Sequence, residues 1–381
     1  MIGLTDRLIN FLMDSQVRRN GIKEKLRILM VGGFPPPVRG MPVINAAVRN
    51  EFEKAGITPA VIGVSALNLD RSFLVRLGRL PKVLRGLFRM ALMRDLRGSI
   101  FYISVSGGLG QFYEMLFVLL ARLHGMRLHL HHHSFAYLNK PIFYTTVLTK
   151  AAGASAVHIT QSPVMAAKLR ATYTLKHVWP ISNTVFLMDN GTTPSQIRTR
   201  LITLGFISNI SREKGVFEFL DLVSTVEKEN IPVKAKLAGP FQDARVENLV
   251  RSRLAQLRHI EYVGPKYGSD KDMFFAGIDV LIFPTRYANE TEGIVNHEAM
   301  RSGVPVIAYG RGCIPEIVGK DCGEVIDPHE PFVPAALEKI KKWTDDPASF
   351  AAASKAAMDM FADTFHQNKK RWQELLSELA A

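Results

Sequence analysis

The chain of 381 residues carries 48 Lys and Arg against 35 Asp and Glu, a formal net charge of +13, with 47% hydrophobic and 22% charged residues. That composition excludes a disordered polyelectrolyte, and the two cysteines, Cys313 and Cys322, supply neither a disulfide framework nor a zinc ligand set. Such cysteine usage fits a reducing compartment, and at roughly 100 to 200 residues per domain the length points to two domains, with a cleft between them as the place to seek a site.

Met1 to Arg27 has apolar residues at helical spacing, but Asp6, Asp14, many basic residues and the lack of a small-residue cleavage site argue against a secretory signal. An apolar run from Ile28 to Val31 enters the loop Gly32 to Gly40 and then an amphipathic segment from Val43 to Ala55, which reads as strand, loop, helix. The free N–H groups of such a loop and the helix dipole could hold a phosphate. The loop has neither GxGxxG spacing nor a GK[ST] ending, so a plain structural turn stays open. Short β-branched runs at Ala60–Val64, Ser99–Val105, Arg127–His131 and Ser155–Thr160 alternate with helical patterns. Alternation of this kind implies a parallel sheet covered on both faces. Leu109 to Leu123 is the most apolar run; Gln111 and Glu114 interrupt it, and it falls short of the ~20 residues that cross a bilayer, so a buried helix is expected.

The pattern restarts after the turn-rich Asn190 to Pro194, with strands at Leu201–Ile207, Val233–Ala238, Glu261–Val263, Val280–Phe283 and Val304–Ala308. The expected organisation is an α/β domain over residues 1–188, a second over 189–360, and a C-terminal helix within 361–381. That helix, Phe361 to Leu379 with Trp372, either caps the second domain or reaches back to the first.

Between Arg71 and Arg97 lie eight basic residues and one acid, Asp95. Arg76, Arg79, Lys82, Arg85 and Arg89 interleave with Leu and Phe as a basic amphipathic helix or helix pair, suited to an anionic lipid surface; a solvated basic face is the alternative. No aromatic ladder and no zinc-finger, RRM or KH motif accompanies the charge, so nucleic acid is not expected as a partner. His129, His131, His132 and His133 close the strand that begins at Arg127. Alternation places His129, His131 and His133 on one face, a pattern compatible with a metal site or with a partly exposed strand end.

The most informative stretch runs from Phe283 to Ala308 and reads strand, polar loop, helix, Gly turn, strand. With a helix starting near Gly293, Glu290 lies in the loop at the carboxyl edge of the sheet and Glu298 one turn into the helix, so both carboxylates can face one ligand whose phosphates meet the helix N-terminus. The stretch resembles the E-x7-E signature of the family-4 retaining glycosyltransferases, with Glu298-Ala-Met-Arg-Ser-Gly-Val-Pro-Val-Ile-Ala308 very close to the family pattern. Ser208 to Val216 resembles that family's basic donor-phosphate loop. Leu237–Pro240 and Tyr262–Pro265 resemble its strands leading to the base pocket. The first half matches through the loop after Val31 and through His133-Ser-Phe135.

The resemblance implies the GT-B architecture, two Rossmann-like domains facing a central cleft, with a nucleotide sugar (UDP or GDP) bound by the second and the acceptor by the first. It implies that Glu298 holds the ribose hydroxyls, Glu290 the donor sugar, and Lys214 the diphosphate. Gly293, Ile294 and Val295 would offer backbone N–H groups to the donor, and Gly40 of the first-domain loop would bind the donor as well. His131 or His133 would contact the sugar beside the reacting carbon. No metal or other cofactor is expected, because cations and a helix N-terminus neutralise the leaving group. Two positions depart from the family. Asn209 stands where an arginine is usual, so Arg212 is expected to supply the second cation, and Glu292 adds a carboxylate expected near the donor, where it would disfavour an acidic sugar. The implied reaction is glycosyl transfer with retention, the donor diphosphate helping to remove the acceptor proton and Glu290 orienting the sugar. With the basic segment, this points to a lipid-linked glycan acceptor, bacterial polysaccharide assembly, and a cytoplasmic enzyme peripheral to the membrane. A soluble small-molecule acceptor and a non-catalytic membrane-binding relic of the fold are the alternatives.

Overall fold

A computed structural model describes residues 28–35, 40–65, 78–187 and 195–380. The Met1–Arg27 stretch, the Asn190–Pro194 turn and the start of the basic segment, including Arg76, lie outside the described residues. The first half forms a sheet of β1 (Ile28–Gly32), β2 (Ala60–Gly63), β3 (Ile100–Val105), β4 (Arg127–His132), β5 (Val157–Thr160) and β6 (His177–Pro180), in the order β2-β1-β3-β4-β5-β6. The second half repeats the plan with β7 (Thr203–Ile207), β8 (Lys234–Ala238), β9 (Ile260–Tyr262), β10 (Val280–Phe283), β11 (Val306–Tyr309) and β12 (Gly323–Ile326), in the order β12-β11-β10-β7-β8-β9. All ladder pairings are parallel. Every residue of β1, β3, β10 and β11 is buried, which is what helices on both faces of a parallel sheet require of continuous apolar runs.

Strand order places the chemistry. In each sheet the chain reverses its direction of build at one gap, between β1 and β3 in the first and between β7 and β10 in the second. Outside the carboxyl ends of such a strand pair the following segments diverge to opposite faces and leave a crevice.

Two helices differ from expectation. Gln111–Leu123 buries Phe117, Val118 and Ala121 but turns Phe112, Leu116, Leu119 and Leu123 outward, Leu123 being 84% exposed. It is therefore not a buried helix but one with an apolar outer face. The C-terminal helix runs from Pro347 to Ala380, so a boundary at 361 falls in its middle. Asp346 starts it: its carboxylate accepts the N–H groups of Ala348 and Ser349 at 3.1 and 3.0 Å, ahead of Pro347 in the first turn. The helix begins against the second body, where Ser354 donates to the Gly303 carbonyl at 2.6 Å. It ends against the first, where the fully buried Trp372 ring stacks near Phe52 (5.6 Å) and Phe186 (5.1 Å) and Lys369 pairs with Glu51 at 2.8 Å.

Candidate active site

The crevice between β7 and β10 is lined by two loops that fix each other. After β7, Ser211 caps a short turn by accepting the Lys214 N–H at 3.2 Å, and the turn ends at Gly215 with φ +85°. A Cβ at Gly215 would strike the Pro284 carbonyl, so glycine is required both for the torsion and for the approach to β10. Across the gap the Arg286 N–H donates to the Glu213 carbonyl at 2.8 Å. This geometry delivers Lys214 to Glu290: its ammonium forms an ion pair with Glu290 Oε2, which also accepts Thr285 Oγ1 at 3.2 Å. The Lys214 ammonium lies 4.8 Å from the Tyr287 ring centroid, within cation–π range.

The helix Ile294–Arg301 starts behind Gly293, whose φ of +58° and contact with the Phe283 ring again call for glycine. The amides of Ile294 and Val295 sit in its first turn, where N–H groups have no partner within the helix. Glu298 comes from the same helix and pairs with Lys271 of helix Ser269–Ala276. Sequence reasoning missed Lys271, which carries no motif. It also missed Arg311, which donates to the Tyr287 and Ala288 carbonyls (3.2 and 2.6 Å) and reaches Asn139 of the first body at 3.4 Å. Burial lowers the Arg311 pKa and the nearby Glu290 charge raises it in part.

Glu292 is not beside these groups as a free carboxylate. It is 1% exposed, accepts Ser182 Oγ at 2.5 Å and the Asn183 N–H at 3.0 Å, and lies 3.4 Å from His297 Nε2. Its charge is spent on holding the end of the first body, so the expected repulsion of acidic donors is corrected. Arg212 is exposed and lies over the Phe217 ring at 4.6 Å, Asn209 is exposed, and Gly40 (φ +23°) has open space around its Cα.

On the first body, β4 sorts its histidines as alternation requires. His132 points to one face, bonded to Tyr137 Oη and His158 Nδ1 at 2.9 Å each. His131 and His133 share the other, with ring centroids 4.1 Å apart. His131 is fully buried beneath His133, with its Nδ1 2.5 Å from Tyr102 Oη. The Gln161 amide donates to His133 Nδ1 at 2.9 Å, which leaves the proton of the neutral ring on Nε2, an atom with no partner among the described residues. Burial pushes His133 down to about 3 and His131 well below its usual range, so both rings are neutral at pH 7. Next to His133, Ser134 donates to Asn289 Oδ1 at 2.8 Å, one residue from Glu290, and a Cβ on Gly107 would collide with both. The two bodies thus meet at the carboxyl edges of both sheets.

Of the basic residues expected on a membrane surface, Arg79 turns inward to Tyr113 Oη at 3.4 Å and Lys82 donates to the Ser65 carbonyl at 3.2 Å. Arg89 is half-buried and Arg85 exposed. What the helix Leu80–Ala91 presents outward is largely apolar: Leu80, Leu84 and Phe88, followed by Leu92 just past its end, are 53 to 63% exposed. Among the described residues no three His, Cys, Asp or Glu side chains converge as a metal site, and no helix is long and apolar enough to cross a membrane.

Two parallel six-stranded sheets facing each other across this edge define the GT-B fold of glycosyltransferases. Alr3699/HepE of Anabaena in complex with UDP superposes with a TM-score of 0.66 at 18% identity, covering 92% of this chain and all of that one. Sucrose-phosphate synthase from Thermosynechococcus elongatus does so at 0.69 and 15%, covering 93% and 99%. At these identities the likeness is one of fold. In sequence, residues 193–360 match the family described as glycosyl transferases group 1. Sulfoquinovosyl transferase SQD2 of Arabidopsis thaliana is 32% identical over 111 residues, 28% of this chain and only a fifth of that protein's length.

Proposed function

We propose that the protein is a retaining, metal-independent glycosyltransferase that moves a sugar from a UDP or GDP sugar to a glycan acceptor. What supports this is the Lys214–Glu290 ion pair at the crevice between β7 and β10, next to the helix Ile294–Arg301 that follows β10 and carries Glu298. A nucleotide sugar supplies the partner each group needs: diphosphate for Lys214 and the Ile294 and Val295 amides, ribose hydroxyls for Glu298, donor hydroxyls for Glu290. On binding, Lys214 exchanges Glu290 for phosphate, and Glu290 is released to the sugar. His133 Nε2–H, on a neutral ring and without a partner among the described residues, donates to a sugar hydroxyl from the opposite body. Anionic oxygen left on the diphosphate as the glycosidic bond breaks takes the acceptor proton on the same face.

Thermal shifts with UDP, GDP and ADP sugars test the donor site. One nucleotide series should stabilise the wild type, by about 2.7 kcal/mol when ligand is in hundredfold excess over Kd, and Glu298→Ala should lose most of that gain. A wild type that answers to no nucleotide would remove the transferase reading.

The acceptor we assign is lipid-linked, taken from an anionic membrane surface, as in bacterial polysaccharide assembly. Support comes from the packed helices Leu80–Ala91 and Gln111–Leu123, whose outward faces carry Leu84, Phe88, Leu116 and Leu123, with Phe143 79% exposed nearby in the chain. Apolar faces of this extent beside Arg85 and Arg94 suit the acyl boundary of an anionic leaflet. The active cleft would then open at the cytoplasmic surface of the membrane.

A further inference from the structure

Helix Ser269–Ala276 puts a cation where local physics disfavours one. Lys271 is its third residue, in the first turn beside the positive end of the helix dipole, where Asp270 and Asp272 are the favourable choices. Its side chain turns to Glu298 of helix Ile294–Arg301, and both partners are largely buried, with side chains 22% and 14% exposed. Holding the two helices together does not require this pair. Asp272, the next residue, accepts from Arg301, three residues after Glu298, at 2.9 Å and already bridges the same helices. Nor does the pair exhaust its own groups. Glu298 Oε2 is buried against the ammonium, so the exposure left on that side chain lies on its other oxygen and its stem. An ammonium has three donors, of which one carboxylate oxygen takes a single one.

We propose that Lys271 reads the ribose of the donor nucleotide together with Glu298, which accepts from one hydroxyl while Lys271 donates to the oxygen of the neighbouring one. A vicinal diol offers a donor and an acceptor on adjacent carbons, and a fixed ammonium–carboxylate pair presents the complementary acceptor and donor side by side. With Oε2 committed to Lys271, one carboxylate oxygen remains for two hydroxyls, and the ammonium supplies the second contact. Position agrees with this. Both helices start at the carboxyl edge of the second sheet, as the segments that follow β9 and β10. A nucleotide whose diphosphate meets the first turn of helix Ile294–Arg301 brings its ribose, the next unit along, to Glu298, one turn further into that helix. The pair therefore favours ribonucleotides over their deoxy forms, and half of that preference belongs to a lysine that no motif marks.

This assignment rests on the donor reading of the site, and its test separates the two. Isothermal titration would compare UDP and GDP with the 2′-deoxy and 3′-deoxy forms of whichever binds, on the wild type, Lys271→Met and Asp272→Asn. The readout is the ratio of ribo to deoxy affinity, which a change of fold or of overall charge moves alike for both ligands. In the wild type that ratio should be about tenfold or more for each deoxy form. Lys271→Met should bring one of the two ratios close to one, by weakening the ribonucleotide and not the deoxy form. Asp272→Asn breaks only the neighbouring bridge and should leave both ratios as they are, even where it lowers the melting temperature. Wild-type ratios retained in Lys271→Met, whether ribo and deoxy forms weaken together or not at all, would overturn the proposal and leave the donor site standing. The same ratio collapsing in Asp272→Asn, or a wild type indifferent to both hydroxyls, would overturn it as well. A wild type that binds no nucleotide would instead remove the donor site itself, and the proposal with it.

Discussion

Lys214 and Glu290 neutralise each other in a nearly dry position, their side chains 18% and 10% exposed. Lys214→Met leaves Glu290 with the Thr285 hydrogen bond and the more distant Arg311 charge, and removes a cation from the proposed diphosphate site. We expect kcat to fall by about 10²–10³, the range seen when one group stabilising a developing charge is deleted, with the loss in kcat exceeding any change in KM. A rise in KM with kcat unchanged would place Lys214 in ground-state binding and outside the chemical step. Glu114 makes a second prediction. Burial raises its folded pKa to about 7, above the ordinary 4.5, so between those values the folded state binds a proton the unfolded state has lost. Stability therefore declines as pH rises from about 4.5 to 7 and the full penalty persists above. Glu114→Gln removes that slope, and at pH 8 it should gain on the order of 1–3 kcal/mol over the wild type relative to their difference at pH 4.5; parallel urea stability curves across this range would refute it. Glu290 and Glu298 were legible because their spacing and the flanking apolar runs are local facts. Lys271, Arg311 and the diversion of Glu292 to Ser182 were not, since each depends on which distant segment arrives opposite.

The strands were visible wherever β-branched residues run together, and Val280–Phe283 was found with its observed limits. β6 and β12 were not anticipated: each is four residues and lies at a sheet edge, β6 with a single β-branched residue among His, Trp and Pro, β12 with only the pair Val325-Ile326 after Gly and Glu, too short a run to stand out. The helix Pro347–Ala380 announced its start through Asp346-Pro347, a cap and first-turn proline that an apolar-periodicity search passes over. Gln111–Leu123 was recognised as a helix, yet its apolarity was assigned to a core. Hydrophobic residues all round a helix describe a buried one, unless the outer face has a non-aqueous partner. This supports a prediction for that element. The double substitution Leu116→Ser, Leu123→Ser should abolish flotation with phosphatidylglycerol vesicles while leaving nucleotide stabilisation and the melting temperature within a few degrees of wild type, because neither side chain is in the core. Arg85→Glu should weaken flotation only at low salt. Wild-type protein that does not float would end the membrane assignment.

Across the whole molecule, the two bodies are joined by polar contacts around Glu292, by the Ser134–Asn289 and Arg311–Asn139 bonds beside the cleft, and by the strap of the C-terminal helix. Trp372→Ala empties a fully buried site between Phe52 and Phe186, and we expect a cost of about 3–5 kcal/mol in chemical denaturation, with the first body unfolding ahead of the second. A single transition of unchanged midpoint would show that the strap contributes little.

The strap has a consequence for motion. Leu187 ends the described part of the first body and Ser195 resumes on the second, and the helix Pro347–Ala380 rests its first turns on one body and its last turns on the other. Two bodies tethered at a single point can swivel freely, like a ball in a socket. Tethered at two, they keep one easy rotation, about the line joining the tethers, as a door does on a pair of pins. On the proposed function, we expect opening of the cleft to be a swing of the β1–β3 edge toward and away from the β7–β10 edge, with sideways slip opposed by the second tether.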